Sequence, residues 1–176
     1  MARSHRASIA EVRGFYAKLL TSESGARDPR IEEAFASVPR EAFLPPGPWM
    51  VSVAERYIET PSADPVHIYR NLVIALDAGK GINNGEPLLH ARWMDAASPQ
   101  PGETIVQVGV GHGYYSAILA LLVQPGGHLV GFEIEPDLAA IARRNLEFHD
   151  NVSIVAGDAV SLELPPANLI YVSAGV

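Results

Sequence analysis

An α/β fold with a doubly wound, mostly parallel sheet is what the second half of this sequence predicts, and three observations carry the prediction. Apolar runs of strand length alternate with segments of helical period from residue 104 onward. The first run, Ile105 to Val108, enters a turn with glycines at 109, 111 and 113, and the next strand ends on an acid, Glu133, 24 residues after Gly109. Strands that alternate with helices run parallel, because each helix carries the chain back to the edge where the strand began. Glycines at alternate positions let the backbone bend sharply and lie close to a ligand where a Cβ would collide, and the helix that follows starts with its free N–H groups aimed at that ligand. A carboxylate ending the second strand stands where such folds accept hydrogen bonds from ribose hydroxyls.

The elements follow in order. Ile9, Val12, Tyr16, Leu19 and Leu20 recur at helical spacing, so residues 8–21 read as an amphipathic helix. A polar loop to Arg27 precedes Asp28-Pro29, an N-cap with proline at the first helical position, and Ile31 and Phe35 give the short helix after it one apolar face, closed by Pro39. Residues 45–85, with prolines early and glycines late, are too long for a structureless loop and read as a substrate-facing segment with short strands, one at 73–76. Pro87 starts a helix through Ala97 with Leu89 and Trp93 packing inward, and 99–102 is a turn. Then come strand 104–108, helix 113–123, turn 124–127, strand 128–134, helix 137–149, strand 152–156 and, after a loop, strand 168–173. In helix 137–149, Leu138, Ile141, Ala142 and Leu146 hold one side, while Asp137 and Arg143-Arg144 sit where the helix dipole favours them.

With 176 residues, 48% of them apolar, the chain buries one core and forms one structural domain: residues 1–100 supply N-terminal helices and the substrate-facing segment, and 101–176 the cofactor-binding core. Its net charge of −7 repels phosphate backbones, which argues against nucleic acid as a partner; Arg3, Arg6 and Arg13, like Arg143 and Arg144, read as solvated helix faces. Without cysteine there is neither a disulfide nor a thiolate site, and the composition suits a reducing interior. No long apolar run follows the first residues, so the expectation is a cytoplasmic protein with no membrane partner. The six histidines form no pair at the i, i+4 spacing of a helical metal site, so no metal is expected.

The glycine spacing also discriminates. A nicotinamide-binding turn prefers Gly-x-Gly-x-x-Gly, whereas here the third glycine comes one residue early and Tyr114 follows it. Strand 152–156 runs into Gly157-Asp158, whose carboxylate is placed to accept a hydrogen bond from an exocyclic amine of adenine. Glycines, Glu133 and Asp158 all fall at the carboxyl ends of the strands, where open parallel sheets bind ligands.

From Asp28 to its end the chain resembles the class I S-adenosylmethionine-dependent methyltransferases, whose core is Rossmann-like, and within them the protein-L-isoaspartate O-methyltransferases. Beyond the glycine turn, Val38-Pro-Arg-Glu-Ala-Phe-Leu44 is similar to the family's N-terminal segment and Tyr57-Ile-Glu-Thr-Pro61 to its Tyr-Asp-Pro segment. The resemblance continues through Phe132-Glu-Ile-Glu-Pro136, Arg143-Arg-Asn-Leu146 and Val155-Ala-Gly-Asp158. It implies S-adenosyl-L-methionine as cofactor, with Gly109, Gly111 and Gly113 at its methionine end, Glu133 on the ribose and Asp158 near the adenine.

Three departures shape what the resemblance implies for the reaction. The family's Thr-Ile-Ser-Gln-Pro-like segment, whose serine assists at the isoaspartyl site, is replaced by Gly81-Ile-Asn-Asn-Gly-Glu-Pro87. Asn83, Asn84 and Glu86 become the acceptor-site candidates; an extra carboxylate about 4 Å from an anionic substrate would cost on the order of 1 to 4 kcal/mol unless neutralised. Gln107 stands where the family has an acid near the methionyl amine, which implies weaker cofactor binding. Leu169-Ile-Tyr-Val-Ser173 reads as the fourth strand, and the family's last strands are missing after it, leaving a bare sheet edge through which homo-oligomers could form. The expectation is methyl transfer to a carboxylate or related nucleophile on a peptide, protein or small-molecule acceptor, with an altered substrate. The alternative is a non-catalytic cofactor-binding or scaffold protein on the same fold.

Overall fold

The computed structural model describes residues 7–54 and 56–174, so Arg3, Arg6 and His5 lie outside the described residues. Helix α1, Ile9–Ser24, starts at a capping box in which Ser8 Oγ accepts from the Glu11 amide at 3.3 Å and the Glu11 carboxylate accepts from the Ser8 amide at 2.7 Å. It runs three residues beyond the expected end and stops at Gly25, whose φ of 74° is left-handed. Tyr16, Ala17, Leu20 and Thr21 face inward, whereas Leu19, expected on that face, is 43% exposed. Helix α2, Pro29–Ser37, has the expected Asp28 cap, with Ile31, Ala34 and Phe35 buried.

The segment from 45 to 85 contains two antiparallel hairpins: β1, Met50–Val53, with β2, Arg56–Glu59, and β3, Ala75–Asp77, with β4, Ile82–Asn83. A bridge between Val51 and Ile74 joins them. The strand expected at 73–76 is thus one arm of a hairpin, shifted to 75–77, and the other short strands expected in the segment, whose positions the sequence left open, are β1, β2 and β4. Arg40, fully buried, organises what lies between them: its guanidinium donates to the carbonyls of Ile68 at 2.7 Å, Arg70 at 3.0 Å and Leu72 at 2.6 Å. A buried cation is tolerated there because three carbonyl dipoles and the rings of Tyr16 and Tyr114, each about 6 Å from it, face it.

Helix α3, Pro87–Ala97, is rotated by one residue from the expected face. His90, Ala91 and Met94 are buried while Trp93 is 42% exposed. The cause is aromatic: His90 stacks on Tyr115, so that side of the helix turns toward the core.

The parallel sheet comprises β5, Thr104–Val108, β6, His128–Glu133, β7, Val152–Ala156, and β8, Leu169–Val172, in the order β7-β6-β5-β8. The chain winds outward from β5 to β7 and returns to the other side of β5 for β8, the reversal that makes the sheet doubly wound. Helix α4, Tyr114–Leu122, joins β5 to β6 and is buried along nearly its whole length. Helix α5, Pro136–Asn145, ends four residues before the expected 149; Leu138, Ala142 and Leu146 are buried and Ile141 half-buried. The 157–168 connection contains no helix, and β8 is an edge on which Tyr171 is buried but Ile170 and Val172 are 57% and 51% exposed.

Candidate functional site

The reversal of strand order puts a crevice at the carboxyl ends of β5 and β8, and the glycine turn fills its floor. Gly109 has φ of 81°, and a Cβ there would lie 2.6 Å from the Ala174 amide nitrogen, so only glycine lets the 173–174 backbone pass this close. Glu133, 5% exposed, closes the turn from β6: Oε2 accepts from the Gly111 amide at 2.7 Å and Oε1 from the Glu135 amide at 3.0 Å. The carboxylate is therefore oriented by two amides, and each oxygen keeps a lone pair for a further donor.

Gln107 is placed differently from its sequence expectation. It is 1% exposed, does not line the cavity over the turn, and spends its amide inside the fold: Oε1 accepts from Ser116 Oγ at 2.7 Å and Nε2 donates to Ser173 Oγ at 2.9 Å. Asp158 accepts from the Val160 amide and from Ser161 Oγ, both at 2.9 Å, as a cap on the turn after β7, away from the cavity lining.

The cavity is lined by Gly109, Val110, Gly111 and His112 of the turn on one side and by Asn83 and Asn84 on the other, with His90 and Tyr115 between them. Asn84 accepts from the Ile74 amide at 2.8 Å through Oδ1, while its buried Nδ2 has no partner. Asn83 Oδ1 accepts from the Gly85 amide at 2.9 Å and shapes the loop. Glu86 is not part of the lining; its carboxylate accepts from Asn71 Nδ2 at 2.7 Å, and Asn71 Oδ1 accepts from the Leu88 amide at 2.9 Å, capping α3 from outside the helix. Its charge is thus engaged by an amide and by the N-terminal end of α3.

His90 is the site residue that the sequence reading passed over. Its Nδ1 is 2.7 Å from the Tyr171 hydroxyl and its ring stacks on Tyr115 at 3.5 Å. Burial pushes its pKa down to about 3, helped by the Arg40 charge, so the imidazole is neutral. A stripe drawn through 87, 90, 91 and 94 instead of 89 and 93 would have found it. His112 is likewise lowered by burial, and its Nδ1 is buried without a partner. Tyr114 both lines the cavity and packs against Phe35 and Phe43. Among the described residues no group of three or more His, Asp or Glu side chains is placed to hold a metal ion, and no helix is long and apolar enough to cross a membrane.

A doubly wound parallel sheet with a glycine turn and a strand-end carboxylate at its switch point defines a protein of the class I methyltransferase fold. Residues 17–176 match the family model of protein-L-isoaspartate(D-aspartate) O-methyltransferase, and the chain belongs to that family. The protein-L-isoaspartate O-methyltransferase of Aeropyrum pernix is 36% identical over 132 residues, covering 73% of this chain and 44% of the relative. That of Methanopyrus kandleri is 31% identical over 155 residues, covering 85% and 60%. The chain spans about half the length of such curated relatives. A solved protein-L-isoaspartate O-methyltransferase superposes with a TM-score of 0.74 at 28% identity, over 93% of this chain and 48% of that one. A Plasmodium falciparum structure in complex with S-adenosyl-L-homocysteine shares the fold, with a TM-score of 0.67 at 17% identity over 92% of this chain and 73% of that one.

Proposed function

We propose that the chain carries the cofactor-binding and acceptor-facing parts of an S-adenosyl-L-methionine-dependent methyltransferase of the isoaspartyl type, acting on an altered carboxylate or related nucleophile. The observation that carries the reading is the cavity itself: a glycine turn braced by Glu133 faces, a few side chains away, a loop with the unspent donor Asn84 Nδ2. The donor set fits the cofactor. At Gly111, where φ is 57°, a Cβ would come 2.9 Å from Leu76 Cδ1, so the turn lies bare and close beneath the β3–β4 hairpin, and the buried Nδ1 of His112 in that turn is a polar group that lacks a partner inside the fold.

In this reading Gly109, Gly111 and Gly113 lie along the methionine end, Glu133 takes the ribose hydroxyls and Asp158 reaches the adenine edge if its turn rearranges. Gln107 supports the turn from below. When bound, the cofactor supplies an activated methyl on a sulfonium. The chain's own contribution is alignment and exclusion of water. Asn84 Nδ2 donates to the acceptor oxygen, and Asn83 and Glu86 hold the loop that presents it. Because a carboxylate acceptor is ionised at neutral pH, neutral His90 and His112 need take no proton. The cavity, about 30 Å³, admits little more than water, so cofactor entry requires the β3–β4 hairpin to lift from Gly111. That hairpin is tied down across the site by the Lys80–Glu135 ion pair.

The acceptor belongs to the peptide, protein or small-molecule class. The net charge of −7 speaks against nucleic acid, the lack of cysteine suits the cytoplasm, and the exposed β8 edge favours self-association. The test is transfer of labelled methyl to an isoaspartyl peptide and, separately, to cell-extract proteins and metabolites. Labelling of another carboxylate with the isoaspartyl peptide unlabelled supports the altered acceptor. Efficient labelling of the isoaspartyl peptide defeats it, and no labelling of any acceptor by a chain that binds the cofactor defeats the enzymatic reading.

A further inference from the structure

Gln107 lies beneath the glycine turn with its amide hydrogen-bonded at both ends, and the protons available fix which way each bond runs. Ser173 Oγ is 2.6 Å from the carbonyl oxygen of Gly109 and, more weakly placed, 3.3 Å from that of Val108. A carbonyl only accepts, so the single hydroxyl proton of Ser173 goes to Gly109. Ser173 Oγ must then accept from its other neighbour, the side chain of residue 107 at 2.9 Å. That neighbour has to be a donor, and at the other end of the same side chain Ser116 Oγ, 2.7 Å away, donates to it. A side chain that donates at one end and accepts at the other is an amide; an ionised acid accepts at both, so it would either face the lone pairs of Ser173 or draw the Ser173 proton away from Gly109, and the bond that holds the turn is lost or opposed in each case. The chain of bonds runs from α4 through β5 to the residue after β8 and ends on the first glycine of the turn. Ser173 and Gly109 line the cavity, whereas Gln107 does not.

We propose that Gln107 is a positioning residue that sets the glycine turn through Ser173, and that an acid at this position would loosen the cofactor site of this chain. The inference rests on the cofactor reading above for its binding arm only. It reverses what the resemblance alone implies, namely that an acid at 107 would restore a charge-assisted contact and tighten binding.

The experiment compares wild type with Gln107→Glu, Ser173→Ala and the double variant. S-adenosyl-L-homocysteine binding is measured by calorimetry from mildly acidic to mildly alkaline pH, alongside the amide resonances of Gly109, Gly111 and Gly113 in the ligand-free, isotopically labelled chain. A carboxyl buried at 107 has its pKa raised by desolvation. When protonated it donates to Ser173 as the amide did, so Gln107→Glu approaches wild-type affinity at acidic pH and falls about tenfold or more below it as pH rises through that raised value. The three glycine amides shift with the same midpoint. The titratable groups on the surrounding elements, Tyr115, Tyr171, His90, His112 and Glu133, are common to both proteins, so the difference between the two profiles isolates residue 107. In the Ser173→Ala background the Glu substitution costs less, because the conflicting oxygen is gone.

Equal or tighter binding by Gln107→Glu at neutral pH, glycine amides that ignore pH in the variant, or strict additivity in the double variant would each overturn the proposal. Should Gln107→Glu fail to fold, Ser173→Ala alone decides: weakened binding with displaced glycine amides is expected, and unchanged values overturn it. If the glycine amides respond as described while wild type binds no S-adenosyl-L-homocysteine, the cofactor reading fails and the positioning role stands.

Discussion

The glycine turn at 109–113 is braced from below by side chains that are themselves held at both ends, Gln107 between Ser116 and Ser173 and Glu133 on two amides, whereas the 83–86 loop across the cavity keeps a buried donor, Asn84 Nδ2, without a partner. The first region has little freedom left to adapt; the second holds a hydrogen bond in reserve. An unpaired buried donor costs about 1 to 3 kcal/mol, and such a cost persists where a ligand recovers it. Under the proposed function, the difference teaches that the two halves of the site serve different tasks: a fixed cradle for a constant cofactor and a costlier loop for the variable acceptor.

Substitutions on the two sides should therefore fail differently. The largest effect is expected for Gly109→Ala, which combines a φ of 81° with a Cβ 2.6 Å from a backbone nitrogen. Stability should fall by about 3 kcal/mol or more, read as the denaturation midpoint, with cofactor binding lost alongside it. A stable Gly109→Ala chain would break the contrast, since the turn would then not be rigid. Asn84→Ala should cost about 1 to 3 kcal/mol through the lost Ile74 amide bond, and should raise the acceptor KM severalfold while S-adenosyl-L-homocysteine affinity changes less than the KM does. Equal losses in both would place Asn84 on the cofactor side.

His90 gives a pH signature. Its folded pKa, about 3, lies below the ordinary histidine value of 6.5, so the unfolded chain binds the proton more readily. The stability it contributes is full above the unfolded value and is lost as pH falls from there toward 3, at about 1.4 kcal/mol per pH unit from this one group. His90→Gln should flatten that part of the profile measured by denaturant titration; an unchanged slope would mean that the histidine is not buried neutral. The smallest effect belongs to Lys80→Ala. It should leave the melting temperature unchanged, since the Lys80–Glu135 pair is solvent-exposed, yet speed S-adenosyl-L-homocysteine association in stopped-flow mixing as the hairpin loosens. An unaltered association rate would show that the hairpin does not gate entry.

The same contrast governs what the sequence makes legible. The parallel core is written in local terms: strand 104–108 matches β5 residue for residue, and the glycine spacing marks the turn before α4. The boundaries of α5 drift because Leu146 stays buried after the helix has ended, so the apolar period outlasts the hydrogen-bond pattern. Short strands were expected between 45 and 85, but the positions of β1 and β2 were illegible because they have four residues each, and Val53 and Ile58 are exposed instead of marking an inward face. Tertiary context also turned α3, where stacking of His90 on Tyr115 outweighs the larger apolar surface of Trp93. On the site, Gly109, Gly111, Asn83 and Asn84 come together at the cavity, while the proton accounting that buries Gln107 depends on Ser173, 66 residues away, which no local pattern reports.

The central claim, that the braced glycine turn is a cofactor cradle, is tested most directly by calorimetric titration of S-adenosyl-L-homocysteine into the wild-type chain and into Glu133→Ala, with the fold of each checked by circular dichroism. The account predicts micromolar binding by wild type and its loss in the folded variant. A folded wild-type chain that binds nothing, or a Glu133→Ala chain that binds as tightly as wild type, would contradict it.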